Sequence, residues 1–399
     1  MSSKDRKPPM PQLSSMPMGT LPVNPALPAG VFRNVIQSSL EAGDSCGLNI
    51  SATVSLPSNF PSSLRMLART LRTSSSESGT REVIIARLLP ELAAPEILTG
   101  FDAEGKPVTT PAKNRITLRQ MLTHTAGMTY EFMDPLLSTW RKTPEGSRAH
   151  DDAFVGAYLM PLVYEPGTSW RYSMGIDWAG KLVERANGGV ALEAYMQQYI
   201  WGPLNMQDIT FHLEKNARVA QRRVEMTARV PDSELLVLDT TKNMFAPDVV
   251  SYASGGVGLW GSASDYLKVL TSILRDDGKL LGSETVAEMF KPQLSPASKD
   301  DWMTLLKNPA GNAALTGNVP MGMELSWGIG GFQSLEDMPG GRRKKGSLAW
   351  IGLPNLFWWI DPEAGVAGLY ASQIVPTDRK STDLFATFEK DVYDQARAL

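Results

Sequence analysis

The stretch Ile116-Thr-Leu-Arg-Gln-Met-Leu-Thr-His-Thr-Ala-Gly127 decides how this chain is read. Leu118, Met121 and Leu122 fall at helical spacing, so Thr117–His124 reads as a short helix with those three side chains inward. His124 closes the helix. A histidine at that place can bond the last carbonyls and act as a structural cap. Taken alone, it also suits the base of a catalytic triad; the segments around it favour the cap.

Working outward, Ile176–Arg185 and Leu192–Tyr199 read as helices separated by the stop signal Asn187-Gly188-Gly189. Ser264–Leu274 carries Leu267, Leu270, Ile273 and Leu274 on one side, again at helical spacing. Asn355–Ile360 is an apolar, aromatic strand. Asp361-Pro-Glu-Ala-Gly365 turns it, and Val366–Tyr370 returns it as a hairpin. Leu384, Phe385, Phe388, Val392 and Tyr393 line a closing helix. Upstream, Val31–Glu41 reads as a first helix, and the proline-rich residues 1–30 as a disordered segment. Helices dominate the middle and strands the end. The expected fold is α/β (α+β): an antiparallel sheet flanked by helices, with an inserted helical domain. Residues 31–89 and 240–399 would supply the sheet-containing part and residues 90–239 the mainly helical part.

Composition removes several function classes. The chain has 399 residues, 42% hydrophobic, with a net charge of −3. That suffices for a large core. No basic stripe points to nucleic acid. The one basic run, Arg342-Arg343-Lys344-Lys345, reads as a solvated turn. Cys46 is the single cysteine, so no intrachain disulfide can form. No apolar stretch has secretory-signal or membrane-spanning character, which places the protein in the cytoplasm with no membrane partner. His124, His150 and His212 lack metal-ligand spacing, so a zinc site is not expected. Ser254-Gly-Gly-Val-Gly258 has no following Lys-Ser/Thr and matches no nucleotide loop; it reads as a tight turn entering the next helix. Gly43-Asp-Ser-Cys-Gly47 matches Gly-x-Ser-x-Gly, but a helical pattern precedes it where a nucleophile elbow needs a strand. It reads as a loop.

Four segments carry a family resemblance. The quoted stretch resembles the Leu-Leu-Thr-His-Thr-Ser-Gly signature of class C β-lactamase-like esterases and transesterases. Trp170-Arg-Tyr-Ser-Met-Gly-Ile-Asp-Trp-Ala-Gly-Lys-Leu-Val-Glu184 resembles their tyrosine motif. Ser254–Leu270 is a third match. Lys345-Gly-Ser-Leu-Ala-Trp-Ile-Gly-Leu-Pro-Asn355, with Trp359–Gly365, resembles the strand lining the active site opposite the nucleophile. Residues 86–399 are similar throughout to the serine β-lactamase and penicillin-binding-protein superfamily, and most similar to fungal lovastatin-type transesterases. The resemblance implies a β-lactamase/transpeptidase-like fold whose N-terminal part is incomplete here. It also implies a serine acyl-enzyme mechanism without cofactor or metal. Its donor would be a thioester or ester, its acceptor a hydroxyl on a polyketide-like scaffold, and its partner an acyl-carrier domain of a polyketide synthase. By position, Tyr172 is the implied base, which needs a neighbouring cation to lower its pKa. Trp350, Gly352 and Leu353 would line the substrate. Ile351 and Leu353 flank Gly352 where this branch often has glycines, which would narrow the pocket.

The chain departs from the family at the nucleophile. The chemistry requires Ser-x-x-Lys, one helical turn apart. None of the 17 lysines has a serine three residues before it. Family spacing puts the nucleophile near Phe60, where Ser62-Ser-Leu-Arg65 offers Ser-x-x-Arg. Arginine keeps its proton near neutral pH and cannot be the base. Ser62 is nevertheless the candidate nucleophile. The Ser/Thr/Arg-rich residues 46–81 read either as a loop or as a segment altered by a miscalled intron, a frameshift or decay. Three functions stay open: an acyltransferase, a hydrolase using water as acceptor, and an inactive binding protein that keeps the cleft.

Overall fold

The apolar run Leu356-Phe-Trp-Trp-Ile-Asp361 is the longest strand of a five-stranded antiparallel meander in the computed structural model, which describes residues 85–231, 233, 235–240, 249–317 and 319–398. Its strands are β1 (Leu325–Trp327), β2 (Phe332–Ser334), β3 (Leu348–Gly352), β4 (Leu356–Asp361) and β5 (Val366–Tyr370). Each pairs with the next in sequence, so the spatial order is β5-β4-β3-β2-β1. The register sets Trp358 opposite Trp350 and Trp359 opposite Gly368. Paired residues share a face of the sheet. A Cβ at Gly368 would lie 2.2 Å from the Trp359 ring; glycine there lets the indole lie across the neighbouring strand.

The expected hairpin is present. Asp361 turns it by accepting from the Ala364 N–H at 3.0 Å, an Asx-type turn, and Gly365 supplies a positive φ of 66°. The β3–β4 turn has three residues, with Asn355 left-handed at φ 58°. Helix Arg379–Arg397 covers β4 through Phe385, which stacks on Phe357 at 4.3 Å. Phe385 and Tyr393 are buried, but Leu384 is 57% exposed and does not join the predicted apolar side.

The predicted helices of the middle are found at Leu118–Leu122, Gly175–Ala186 and Ala263–Arg275. Leu192–Met196 runs into a wider π turn at Gln197–Trp201. Asn187-Gly188-Gly189 stops its helix as expected. Gly189 N–H bonds the Glu184 carbonyl at 2.9 Å and Gly188 N–H the Arg185 carbonyl at 3.3 Å, the two bonds of a Schellman end. The middle also holds short antiparallel pairs: Glu96–Phe101 with Pro107–Pro111, and Thr227–Arg229 with Leu236–Leu238. The glycine-rich turn does not enter the next helix directly. Strand Trp260–Gly261 intervenes, pairing with Ile209–Thr210.

The basic run Arg342–Lys345 is not a solvated turn. Arg343 is 1% exposed and Glu389 0%, with Nε to Oε1 at 2.6 Å. Arg342 Nε reaches the other oxygen of Glu389 at 2.9 Å. A buried carboxylate on the closing helix therefore draws half of the run inward. Lys344 instead pairs at the surface with Asp337, at 2.6 Å.

One hydrophobic core joins Leu89, Met121, Met128, Phe154, Trp178 and Leu182, and a second joins Trp170, Trp302, Trp327, Phe357, Trp359 and Phe385. Tyr172 packs against both. Among the described residues, no helix is long and apolar enough to cross a membrane. Residues 1–84, with the predicted first helix, Gly43–Gly47 and Ser62, lie outside the described residues.

Candidate active site

Two chain turns meet at His124. Thr117 opens the helix Leu118–Leu122 with a reciprocal capping box to Gln120. His124 ends it with φ 58°, and Thr125 N–H bonds the Gln120 carbonyl at 2.9 Å. Histidine thus takes the left-handed place that glycine or asparagine usually fills. Its ring does not reach back to the helix carbonyls, as the sequence suggested. Nδ1 accepts the Ser173 N–H at 3.2 Å and lies 3.1 Å from Ser173 Oγ.

That bond fixes the tautomer. With Nδ1 accepting a backbone N–H, the ring proton sits on Nε2, which has no hydrogen-bond partner among the described residues. Aromatic rings surround it: Tyr172 at 4.9 Å, Trp327 at 5.0 Å, Trp170 at 5.8 Å and Trp350 at 6.4 Å. Burial lowers its pKa to about 3, so the imidazole is neutral at pH 7. His124 therefore ties the end of its helix to the segment carrying Tyr172.

Tyr172 sits on the loop entering helix Gly175–Ala186. Its carbonyl accepts from Thr129 Oγ1 at 3.0 Å. Its ring lies 5.4 Å from Trp350 on β3 and 5.7 Å from Tyr130. The structure thus brings together two of the predicted site residues, Tyr172 and Trp350, from segments far apart in sequence. Burial, and then the charge of Asp177, raise the Tyr172 pKa to about 12. No cation counters this among the described residues, so the condition for a tyrosine base is not met by them. Gly352 ends β3, and Leu353, 49% exposed, occupies the turn beyond it.

Asp177, Tyr130, Ser254 and Gly256 form a network whose individual partners the sequence did not disclose. Asp177 is 0% exposed. It accepts from Tyr130 Oη at 2.9 Å, from the Gly256 N–H at 3.1 Å and from Ser254 Oγ. A Cβ at Gly256 would stand 2.7 Å from the carboxylate, so only glycine admits this approach. Burial raises the Asp177 pKa despite the three donors. The only available signal was that Asp177 and the Ser254–Gly256 run both lie inside recognised motifs.

A cavity of about 410 Å³ is lined by residues between Lys299 and Leu325, none of them a predicted site residue. Among the described residues, no cluster of His, Cys, Asp or Glu could hold a metal ion.

Residues 80–389 match the Beta-lactamase family. The monacolin J acid methylbutanoyltransferase of Aspergillus terreus is 35% identical over 356 residues, which is 88% of this chain and 85% of that protein. A lovastatin esterase of Penicillium rubens is 33% identical, covering 77% of each chain. The unliganded simvastatin synthase of Aspergillus terreus superposes with a TM-score of 0.74 at 36% identity, over 84% of this chain and 80% of that one. The fold is the β-lactamase/transpeptidase-like one that the four motifs implied. Matched by family over most of its length and by relatives across most of theirs, the chain belongs to the Beta-lactamase family.

Proposed function

We propose that this protein is an acyltransferase that carries a short acyl group from a thioester to a hydroxyl of a polyketide-like small molecule. A serine oxygen attacks the thioester carbonyl and the thiol leaves with the proton. The alcohol oxygen then attacks the acyl-serine, which restores the serine. The likeness to the methylbutanoyltransferase over 88% of the chain is the observation that carries this reading. In the proposal Ser62 is the nucleophile and Tyr172 the base. A base role for Tyr172 calls for a neighbouring cation to lower its pKa. Trp350, Gly352 and Leu353 line the acyl or acceptor side. The donor arrives free or on an acyl-carrier domain of a polyketide synthase.

Two rival readings have an observation each. The esterase relative favours hydrolysis, with water as acceptor. The absence of Ser-x-x-Lys from the whole sequence favours a binding protein without turnover. Incubation with 2-methylbutanoyl thioester, with and without an alcohol, separates the three by mass spectrometry of products and of the protein. New ester with a transient acyl-serine supports transfer. Free acid at an alcohol-independent rate means hydrolysis. Neither product nor acyl-serine on folded protein overturns the enzyme reading.

A further inference from the structure

We propose that Asp177 is a positioning residue that, through Tyr130, fixes the ring of Tyr172 beside Trp350; its consequence for catalysis rests on the acyltransferase reading above. Asp177 stands in the first turn of helix Gly175–Ala186, just after the loop that carries Tyr172. It is fully buried, yet the donors it meets among the described residues, Tyr130 Oη, Ser254 Oγ and the Gly256 N–H, are all uncharged. Burying a carboxylate without a cation beside it costs stability. Carboxylates kept on such terms gather at functional sites.

The donors come from two segments far apart in sequence, and both are pressed onto the start of this helix. A Cβ at Gly255 would lie 2.3 Å from the Ile176 carbonyl oxygen, and a Cβ at Gly175 would lie 2.3 Å from the Met121 carbonyl oxygen. The Ser254–Gly256 turn and helix Leu118–Leu122 therefore meet the helix at backbone distance, which glycine alone permits. Asp177 bonds across this junction, to the turn on one side and to Tyr130 on the other.

Tyr130 transmits the hold. Its hydroxyl is fixed on Asp177 at 2.9 Å, and its ring lies 5.7 Å from that of Tyr172, tilted by 44°. Tyr172 also lies 4.9 Å from His124 and 5.4 Å from Trp350. Each of these neighbours is itself anchored: Tyr130 by Asp177, His124 by the Ser173 N–H and Trp350 by the sheet. The carboxylate also acts beyond its bonds. Burial, and then the charge of Asp177, raise the phenol pKa of Tyr130, Tyr158, Tyr172 and Tyr252 alike. Asp177 thus bears on Tyr172 both through the packing of Tyr130 and through its field.

The test places a fluorinated tyrosine at position 172 of the full chain, because its phenol ionises below that of tyrosine, and follows it by fluorine NMR. Asp177→Asn keeps the side-chain shape and removes the charge. The phenol midpoint should then fall by about one pH unit, since a negative charge no longer opposes the phenolate. Tyr130→Phe keeps the ring and the charge but cuts the bond, and it should broaden or split the fluorine resonance. In the unlabelled chain, Tyr130→Phe should lower kcat for transfer from 2-methylbutanoyl thioester to cyclohexanol by about ten- to a hundredfold, with KM within about twofold. An unmoved midpoint in folded Asp177→Asn, an unchanged resonance in Tyr130→Phe, or a loss carried by KM alone overturns the proposal. If Asp177→Asn does not fold, Tyr130→Phe decides by itself. A wild type that transfers no acyl group overturns the acyltransferase reading instead, and the fluorine signals still judge Asp177.

Discussion

Tyr172 and Trp350 lie ring to ring, 5.4 Å apart and tilted by 39°. Tyr172 belongs to the loop that enters a helix of the first core, and Trp350 to the third strand of the sheet. The pair marks where the two cores meet, and the motifs for both residues converge there. A cleft at such a junction can take its two walls from separate parts of the chain.

Replacing Tyr172 by phenylalanine tests the base directly. The Tyr172 hydroxyl makes no hydrogen bond among the described residues, so the change leaves packing intact. Loss of a general base lowers kcat by about 10²–10⁴-fold. The wild-type rate should climb with pH toward the tyrosine pKa, and Tyr172→Phe should lose that rising limb. An unchanged pH profile in the variant would assign proton removal to another group.

His124 predicts an acid limb in stability. Its folded pKa of about 3 lies below the unfolded value of 6.5. The unfolded chain therefore binds the extra proton between those values, and stability falls as pH drops from 6.5 toward 3. The contribution is on the order of 4 kcal/mol, fully present above pH 6.5. Asparagine tolerates the left-handed backbone and can accept the Ser173 N–H. Urea denaturation of His124→Asn should show a shallower loss of stability over this window than the wild type. Parallel curves for the two proteins would rule out His124 as the source.

Much of this was legible in the sequence, where local signals were strong. The Asn187-Gly188-Gly189 stop and the Asp361–Gly365 turn need particular backbone angles, and the residues announce them. Tyr172 and Trp350 were legible only through motif resemblance, because their meeting depends on long-range packing. Charge was read least well. Arg342 and Arg343 looked like surface residues because their partner, Glu389, lies on a helix more than forty residues away. His124 was read as a cap on its own helix carbonyls, but its bond runs to Ser173, a contact that helix periodicity cannot reveal.

The Arg343–Glu389 pair gives a stability prediction. Replacing Glu389 by leucine leaves Arg343 buried without its carboxylate, and removing one partner of a buried pair costs about 3–5 kcal/mol. Adding Arg343→Met removes the stranded charge and should recover part of that loss. Urea midpoints at pH 7 for the single and double variants measure this. A double variant less stable than Glu389→Leu alone would mean that Arg343 contributes mainly by packing, including its guanidinium 5.5 Å over the Phe332 ring.

Arg65→Lys tests the reading of the missing motif. The change creates Ser-x-x-Lys from Ser62, the spacing that sets both side chains on one helical face. Arginine supplies charge but cannot exchange a proton near neutral pH, whereas lysine can do both. If Ser62 is the nucleophile, acyl-serine formation should rise at least about tenfold, in line with a gain of general-base assistance. The readout is the rate of mass increase on incubation with a fluorophosphonate, followed by peptide mapping. Label at Ser62, faster in Arg65→Lys, would place the catalytic serine in this segment. Equal rates with label elsewhere would move the nucleophile to that residue.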